Sequence, residues 1–467
     1  MKSRRLPLLL ALLAPALCLI AASCTRPNKS ASTWQPPRPV RIEGGKGWMN
    51  YNGSWLPWTT EPVNDSAAGL LLRDGDWVVG AASSSFVYRA TDGTVLKTTA
   101  EETLVRLAGK VVGVSLEKEG SGRAWLETAS ASELASVRLL ALPSEVKPAW
   151  LPALTRLAAA NRHVDLMVES TPALRQALRL FQPHLLIVKK LDTEGCILVS
   201  GQHQLETLFL ADGSASDLDF LRRLPRLQRL VLLDTDCEKP GTLFAGLGNL
   251  RSLHLTLARS RDLSELGDLP SGLEELSICS AKGTVELRSL AKLTHLRMLS
   301  LAGCEATGAL AELDVLRQLQ WVALPPNITQ QQFAAFIAAH RSLRLLELVG
   351  CESVTDLRPL HELRELEGLV LAAKGKSASA LLASPQNVGV LRSLKSLRFV
   401  GLPVDAFKES PGQIAEIRNA LPDALVVPTK PFCLGSGWIL LLLPVVMLAG
   451  RFGARRRKAV PTPPHHA

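Results

Sequence analysis

The 467-residue sequence predicts an α/β solenoid, with a parallel β-sheet on its concave face and short helices and 3₁₀ turns on its convex face. Two observations predict this fold. A six-residue pattern of leucines, L-x-x-L-x-L, recurs about every 23 residues in the second half of the chain. Several repeats also place a leucine at every third position, which suits tight helical turns. A small β-rich domain is predicted to precede the solenoid.

The composition predicts a folded and nearly neutral body. Hydrophobic residues make up 47% of the chain and charged residues 21%, which excludes an intrinsically disordered protein. Eight of the 53 basic residues lie at the two ends, where there are no acidic residues. Between positions 24 and 450, the chain therefore has 45 basic and 43 acidic residues. This balance argues against a nucleic-acid partner.

The N-terminus predicts export from the cytoplasm. Residues 1–23 combine a basic start with an apolar run that prolines interrupt, as a signal peptide does, and residues 24–33 form a linker. The segment Ala21-Ala22-Ser23-Cys24 resembles the lipobox of bacterial lipoproteins, and this resemblance implies that Cys24 is acylated. The family usually has leucine where this chain has Ala21, so ordinary cleavage with Cys24 as a plain thiol stays open.

Residues 34–130 are predicted to form the small β-rich domain. Alternating apolar residues are separated by hairpin signals such as Asp92-Gly93 and Glu119-Gly120. Four tryptophans occur near its start, at Trp34, Trp48, Trp55 and Trp58. These rings could stack on sugars or fill the core of the domain.

The leucine pattern carries the prediction for the rest of the body. It opens at Leu205, Leu227, Leu250, Leu273, Leu296, Leu319, Leu343, Leu366 and Leu394, and 24 of its 27 positions are leucine. The leucines of each L-x-L point to one side of a strand, and only stacking of successive strands buries them. This pattern resembles the leucine-rich repeat family, with a stretch around residues 354–360 resembling the internalin type. The resemblance implies a solenoid over residues 205–428, closed by a C-terminal cap.

Less regular repeats are predicted upstream, over residues 131–204, where they form the N-terminal cap. Apolar strands at 137–142, 164–168 and 184–189 alternate with helical stretches around 151–160 and 172–181. Within the regular repeats, the ninth position of the family pattern usually holds asparagine or cysteine. Cys304, Asn327 and Cys351 match it, and we expect both cysteines to be buried thiols, two strands apart and too distant for a disulfide.

No catalytic, cofactor-binding or metal-binding motif occurs in the sequence. The residues between the core leucines are instead predicted to form a ligand-binding concave face. The residues chosen for their position and chemistry are Phe209, Arg229, His254, Trp321, Glu347 and Arg398. For Trp321, packing against Pro325 and Pro326 is the alternative to a ligand contact.

The C-terminus predicts a membrane anchor. Residues 432–450 contain 19 residues without a charge, enough for a transmembrane helix, and residues 451–467 form a basic tail. The positive-inside rule places this tail in the cytoplasm and the body outside it. Cys433, the apolar segment and the arginines also resemble the C-terminal sorting tails of myxobacterial surface proteins, so both a permanent anchor and a processed tail stay open.

Together these features predict a bacterial cell-envelope protein without a cofactor. It would bind another protein through its repeats, contact the membrane and perform no catalysis. One alternative is a carbohydrate-binding surface protein that uses the tryptophan-rich domain. The other is an envelope enzyme with its site in that same domain.

Overall fold

A computed structural model describes the chain over the ranges 110–116, 121–188, 190–211, 218–235, 244–257, 269–280, 284–302, 304–372, 381–422 and 424–429, together with eight short strands between residues 38 and 107. The predicted signal peptide, Cys24, the segment 432–450 and the basic tail lie outside these residues. Among the helices that are described, none has the length and apolar character needed to cross a membrane.

The first seven strands are short and antiparallel. They are β1 Arg38–Arg41, β2 Trp48–Tyr51, β3 Ser54–Pro57, β4 Gly69–Leu72, β5 Trp77–Val79, β6 Phe86–Arg89 and β7 Val95–Lys97. Strand β1 pairs with β4, β2 pairs with β3, and β5 to β7 form a three-stranded sheet. These strands agree with the β-rich character predicted for this part of the chain.

A single 15-stranded sheet runs through the rest of the described chain. Its strands are β8 Leu104–Leu107, β9 Lys110–Ser115, β10 Leu139–Leu142, β11 Asp165–Val168, β12 Leu185–Val188, β13 Thr207–Ala211, β14 Arg229–Thr235, β15 Ser252–Leu257, β16 Glu275–Ser280, β18 Met298–Ser300, β20 Trp321–Ala323, β21 Leu345–Val349, β22 Gly368–Ala372, β23 Phe399–Pro403 and β24 Leu425–Thr429. Strand β8 is antiparallel to β9, and every later pair of neighbours is parallel. Strands β17 (Thr284–Glu286) and β19 (Glu305–Thr307) form a separate parallel pair.

Helices connect the strands on the opposite side. The α-helices are Ser121–Thr128, Ala131–Leu134, Leu151–Ala160, Thr171–Leu180, Thr193–Ser200, Leu287–Leu290, Gln330–Ala339, Pro385–Ser393, Val404–Glu409 and Pro411–Ala420, and the 3₁₀ helices are Pro148–Trp150, Asp219–Arg223, Leu310–Val315 and Arg358–Glu362. Three of these four 3₁₀ helices occur where leucines recur every third residue, as at Leu310, Leu313 and Leu316; Pro148–Trp150 is the exception. This architecture is the α/β leucine-rich repeat solenoid that the sequence predicts.

The core is a continuous stack of leucines between the sheet and the convex turns. In the sheet register Leu253 lies beside Leu276, which lies beside Leu299, and all three side chains are fully buried. Turn leucines such as Leu290 and Leu293 close the same core from the convex side. Neighbouring strands lie about 4.8 Å apart, so each leucine is covered by its counterparts on both sides. One repeat alone would leave this row exposed to water, which is why the repeats are stable only as a stack.

Polar side chains at the turns satisfy the backbone where the strands end. Asn327 accepts a hydrogen bond from the Ala306 N–H (3.0 Å) and donates one to the Ala306 carbonyl (2.8 Å). The Cys304 thiol lies 3.5 Å from the Ile278 carbonyl, and Cys351 lies at the same distance from the Pro325 carbonyl. Both cysteines are buried thiols that form no disulfide, as predicted, and burial raises the pKa of Cys351 to about 12. They serve as structural donors rather than nucleophiles.

The last regular repeat is shifted by three residues from its predicted register. The pattern was expected to open at Leu394, but Gly368 pairs with Phe399 and Leu369 pairs with Val400, so the repeat opens at Leu397. The helix Pro385–Ser393 occupies the preceding residues, and Leu394 caps its end. Val400 and Leu402 then take the buried positions that leucines hold in the earlier repeats.

The sheet also begins earlier in the chain than predicted. The irregular strands β10, β11 and β12 belong to it, in agreement with the prediction of repeats at 137–189. Strand β9 pairs in parallel with β10, although its residues were assigned to the β-rich domain. Its central valines, including Val111 and Val114, are buried in the same core as the leucines. The helix Ser121–Thr128 then makes the first connection on the convex side.

Candidate functional site

The concave face of the sheet consists of two rows of side chains that alternate with the core leucines. The first row runs Thr207, Arg229, Ser252, Glu275, Met298, Trp321, Leu345, Gly368 and Phe399. The second row runs Phe209, Val231, His254, Ser277, Ser300, Ala323, Glu347, Val370 and Gly401. Register alone places these residues together, because side chains at every second position of a strand share one face.

Five of the six predicted site residues lie on this face, and most of their surface is buried. Phe209 and Trp321 have 1% of their area exposed, His254 and Glu347 have 2%, and Arg229 has 9%. Side chains on adjacent strands stand close enough to cover one another. The face is therefore a packed layer rather than a set of protruding side chains.

The sixth predicted residue, Arg398, is not on the concave face. It precedes β23 by one residue, its N–H donates to the Glu367 carbonyl (2.7 Å), and its side chain is exposed. The three-residue shift of the last repeat explains the difference. Phe399 takes the concave position instead, and its side chain is buried.

A hydrogen-bonded polar cluster lies near the middle of the concave face. The Ser252 hydroxyl donates to Glu275 Oε2 (2.8 Å) and lies 3.1 Å from His254 Nε2. The Ser252 hydroxyl therefore contacts both the carboxylate and the imidazole and joins the three side chains into one group. All three side chains are buried, and hydrogen bonding to one another offsets the cost of removing them from water.

The same geometry does not form a catalytic relay. Glu275 Oε2 lies 3.8 Å from His254 Nε2, the nitrogen that also meets Ser252. In a serine nucleophile triad the acid holds the other ring nitrogen, so that Nε2 can accept the serine proton. Here the carboxylate and the serine both lie on the Nε2 side of the ring, which differs from the triad arrangement. The cluster is suited to hydrogen bonding and charge recognition.

A second polar contact joins two of the predicted residues. The Trp321 indole N–H donates to Glu347 Oε1 (2.7 Å) across the neighbouring strands β20 and β21. Burial raises the pKa of Glu347 to about 7, and the indole hydrogen bond offsets this only in part. Trp321 was expected either to contact a ligand or to pack on nearby prolines, and the sequence did not indicate its carboxylate partner. The available signal was that the two residues occupy concave positions in adjacent repeats.

No group of three or more histidine, cysteine, aspartate or glutamate side chains suited to a metal occurs in the described part of the chain. Trp48 and Trp55 fall in the hairpin strands β2 and β3, while Trp34 and Trp58 lie outside the described residues. Cys24 and Cys433 lie outside them as well.

Comparison with known proteins finds similar solved structures but no similar family model or curated sequence. An internalin from Listeria monocytogenes is 18% identical, with a TM-score of 0.36, covering 67% of this chain and 88% of its own. Internalin C2 from the same species is 24% identical, with a TM-score of 0.32, covering 39% and 76%. A leucine-rich repeat protein from Leptospira interrogans is 14% identical, with a TM-score of 0.36, covering 67% and 99%.

Proposed function

We propose that this chain is an exported, membrane-anchored scaffold that binds another protein through the concave face of its solenoid, without catalysis. The observation that carries the proposal is the composition of that face. A polar cluster of Ser252, His254 and Glu275 lies on β15 and β16, with Phe209 two strands away on one side and Trp321 two strands away on the other. Aromatic side chains beside a hydrogen-bonded charge pattern are typical of protein-binding surfaces.

Arg229 supports the same proposal because it gives the face a cation at its most accessible point. Its neighbours in the first row are Thr207 and Ser252, and it is the concave site residue with the largest exposed fraction. A partner that covers the packed layer would remove the remaining exposed part of this side chain from water. Arginine is enriched at such positions because its planar donors match carboxylates and carbonyl groups.

Export and anchoring are proposed from the sequence of the two ends. The basic start and apolar run of residues 1–23 support export, and the uncharged segment 432–450 followed by arginines supports an anchor with the body outside the cytoplasm. Mass spectrometry of the mature protein is expected to show an acylated Cys24 as the first residue. An unprocessed Met1 would contradict export.

Site-specific photo-crosslinking tests the binding surface. A photoreactive p-benzoylphenylalanine at Arg229 is expected to form a discrete adduct with a second protein in the cells that produce this chain. The matched control places the same residue at Ile197, which lies on the convex side with 65% of its area exposed. Thermal unfolding of both variants confirms that they fold. Adducts from Ile197 but none from a folded Arg229 variant would contradict the concave-face assignment.

A further inference from the structure

A groove that is separate from the concave face lies along the N-terminal ends of several neighbouring strands. Two adjoining cavities, of about 460 and about 140 Å³, meet at Arg251. The first is also lined by Arg226, just before β14, and the second by Arg297, just before β18. We call this feature the edge groove, defined by Arg226, Arg251 and Arg297. It crosses three strand steps, or about 14 Å.

The three arginines of the edge groove have no carboxylate within ion-pair distance in the described part of the chain. Arg251 donates to the Gly272 carbonyl (2.9 Å), which leaves most of its guanidinium donors available. Arg226 and Arg251 are exposed, and Arg297 is half-buried. Other arginines of the solenoid are paired with acids: Arg344 with Glu367, Arg358 with Asp356, and Arg392 with Glu416.

The acidic residues of the groove do not neutralise it. Glu206 lines one end of the groove and lies 3.7 Å from the His184 ring, a contact outside the groove arginines. Glu274 stands between Arg251 and Arg297 in the strand order, yet it forms no ion pair with either. Three arginines and two glutamates therefore line the groove, and Glu274 lies between two of the arginines in the strand order. An anionic ligand is attracted by the arginines on either side of Glu274 and repelled by Glu274 itself.

The remaining lining favours a peptide backbone. The amide side chains of Gln228, Asn249 and Gln318 can donate to and accept from main-chain groups. Neither cavity is lined by phenylalanine, tyrosine or tryptophan, and His295 supplies a ring in the second one. An extended peptide advances about 3.3 Å per residue, and about five residues span the groove.

We propose that the edge groove binds an extended acidic peptide segment of a partner protein. Carboxylates of this peptide contact Arg226 and Arg251 on one side of Glu274 and Arg297 on the other. This inference rests on the proposed function as a protein-binding scaffold and assigns one partner segment its chemistry. Guanidinium groups form paired hydrogen bonds with carboxylates, and exposed charges of this kind are weakened by salt.

The proposal is tested by the binding of a labelled peptide to the full chain, measured by fluorescence anisotropy. The peptide carries fluorescein and alternates glutamate and serine over about ten residues. We expect binding that weakens as salt is raised, and none with the matching glutamine and serine peptide. The double variant Arg251→Ala, Arg297→Ala should bind about tenfold more weakly. Glu274→Gln should bind about threefold more tightly, because it removes the central repulsion.

The matched control removes the same number of charges outside the groove. Arg358→Ala combined with Arg392→Ala should change the affinity by less than about twofold. An equal loss in this control would show attraction by net charge alone and would overturn the proposal. Binding of a heparin fragment at the groove arginines, without binding of the glutamate peptide, would also overturn it in favour of an anionic glycan.

The two proposals fail in different ways. Peptide binding is measured on the isolated chain and depends on exposed edge residues, whereas the photo-crosslink at Arg229 depends on the concave face. Loss of the crosslink with intact peptide binding would contradict only the concave-face assignment. A crosslink with no peptide binding would contradict only the edge groove.

Discussion

Replacing Leu276 with alanine is expected to lower the free energy of unfolding by about 3 kcal/mol. Leu276 is fully buried in β16 and stacks between Leu253 and Leu299 in the sheet register. Truncation removes apolar contacts with both neighbouring strands and leaves a cavity that a stacked sheet cannot readily close. Urea unfolding followed by circular dichroism measures the change.

The control for Leu276→Ala is a truncation on the solvent side of the same solenoid. Val315 has 52% of its area exposed at the end of a 3₁₀ helix, and Val315→Ala is expected to change the free energy of unfolding by less than about 0.5 kcal/mol. Equal effects of the two truncations would mean that Leu276 is not in a packed core. That result would remove the basis for the stacked sheet.

The second large effect is a loss of folding stability with rising pH, caused by the ionisation of Glu347. Its pKa is about 7 in the folded chain against an ordinary value of 4.5, because burial disfavours the charged form. The folded state therefore holds the proton more tightly than the unfolded state. The stabilising contribution of the neutral carboxyl is complete below pH 4.5 and is lost as the pH rises to about 7. The loss amounts to about 3 kcal/mol.

The variant Glu347→Gln is expected to lack this loss, since glutamine keeps an oxygen for the Trp321 indole N–H and never ionises. At pH about 8 it should be more stable than the wild type by up to about 3 kcal/mol, and near pH 4 the two should be similar. Thermal or urea unfolding across this range measures the difference. Comparing the two proteins isolates Glu347, because His340, whose pKa burial lowers, titrates in both.

An exposed glutamate provides the control for the pH experiment. Glu365→Gln changes the same functional group on the surface of the solenoid and should keep the pH dependence of the wild type. If Glu347→Gln also kept it, the carboxyl of Glu347 would have to be hydrated in the folded chain. The concave face around Trp321 would then be open to water.

The leucine pattern was sufficient to predict most of the sheet because its period fixes both the strand and the buried side. Once Leu253 and Leu276 are equivalent, Ser252, His254 and Glu275 must share the concave face. The pattern was ambiguous in the last repeat, where Leu394 and Leu397 both fit its first position. The structure selects Leu397 because a helix continues up to Ser393, which a leucine count alone does not reveal.

The polar contacts could not be predicted from the same pattern. The sequence places Trp321 and Glu347 on one face, but only side-chain direction decides that they bond to each other. The leucine pattern does not predict the edge groove, because the residues of the groove precede the strands and lie outside the buried positions. The signal of the groove was an arginine in the position after the first leucine, as at Arg251 and Arg297.

The central claim is that the repeats stack in order as one curved sheet, and a distance measurement tests it most directly. Spin labels carried on p-acetylphenylalanine at Gln228 and Arg398 leave the native cysteines unchanged, and both positions are exposed just before their strands. Seven strand steps separate β14 from β23, so pulsed electron paramagnetic resonance is expected to give a narrow distribution centred at about 34 Å. A broad distribution centred well beyond that distance would contradict the stacked solenoid.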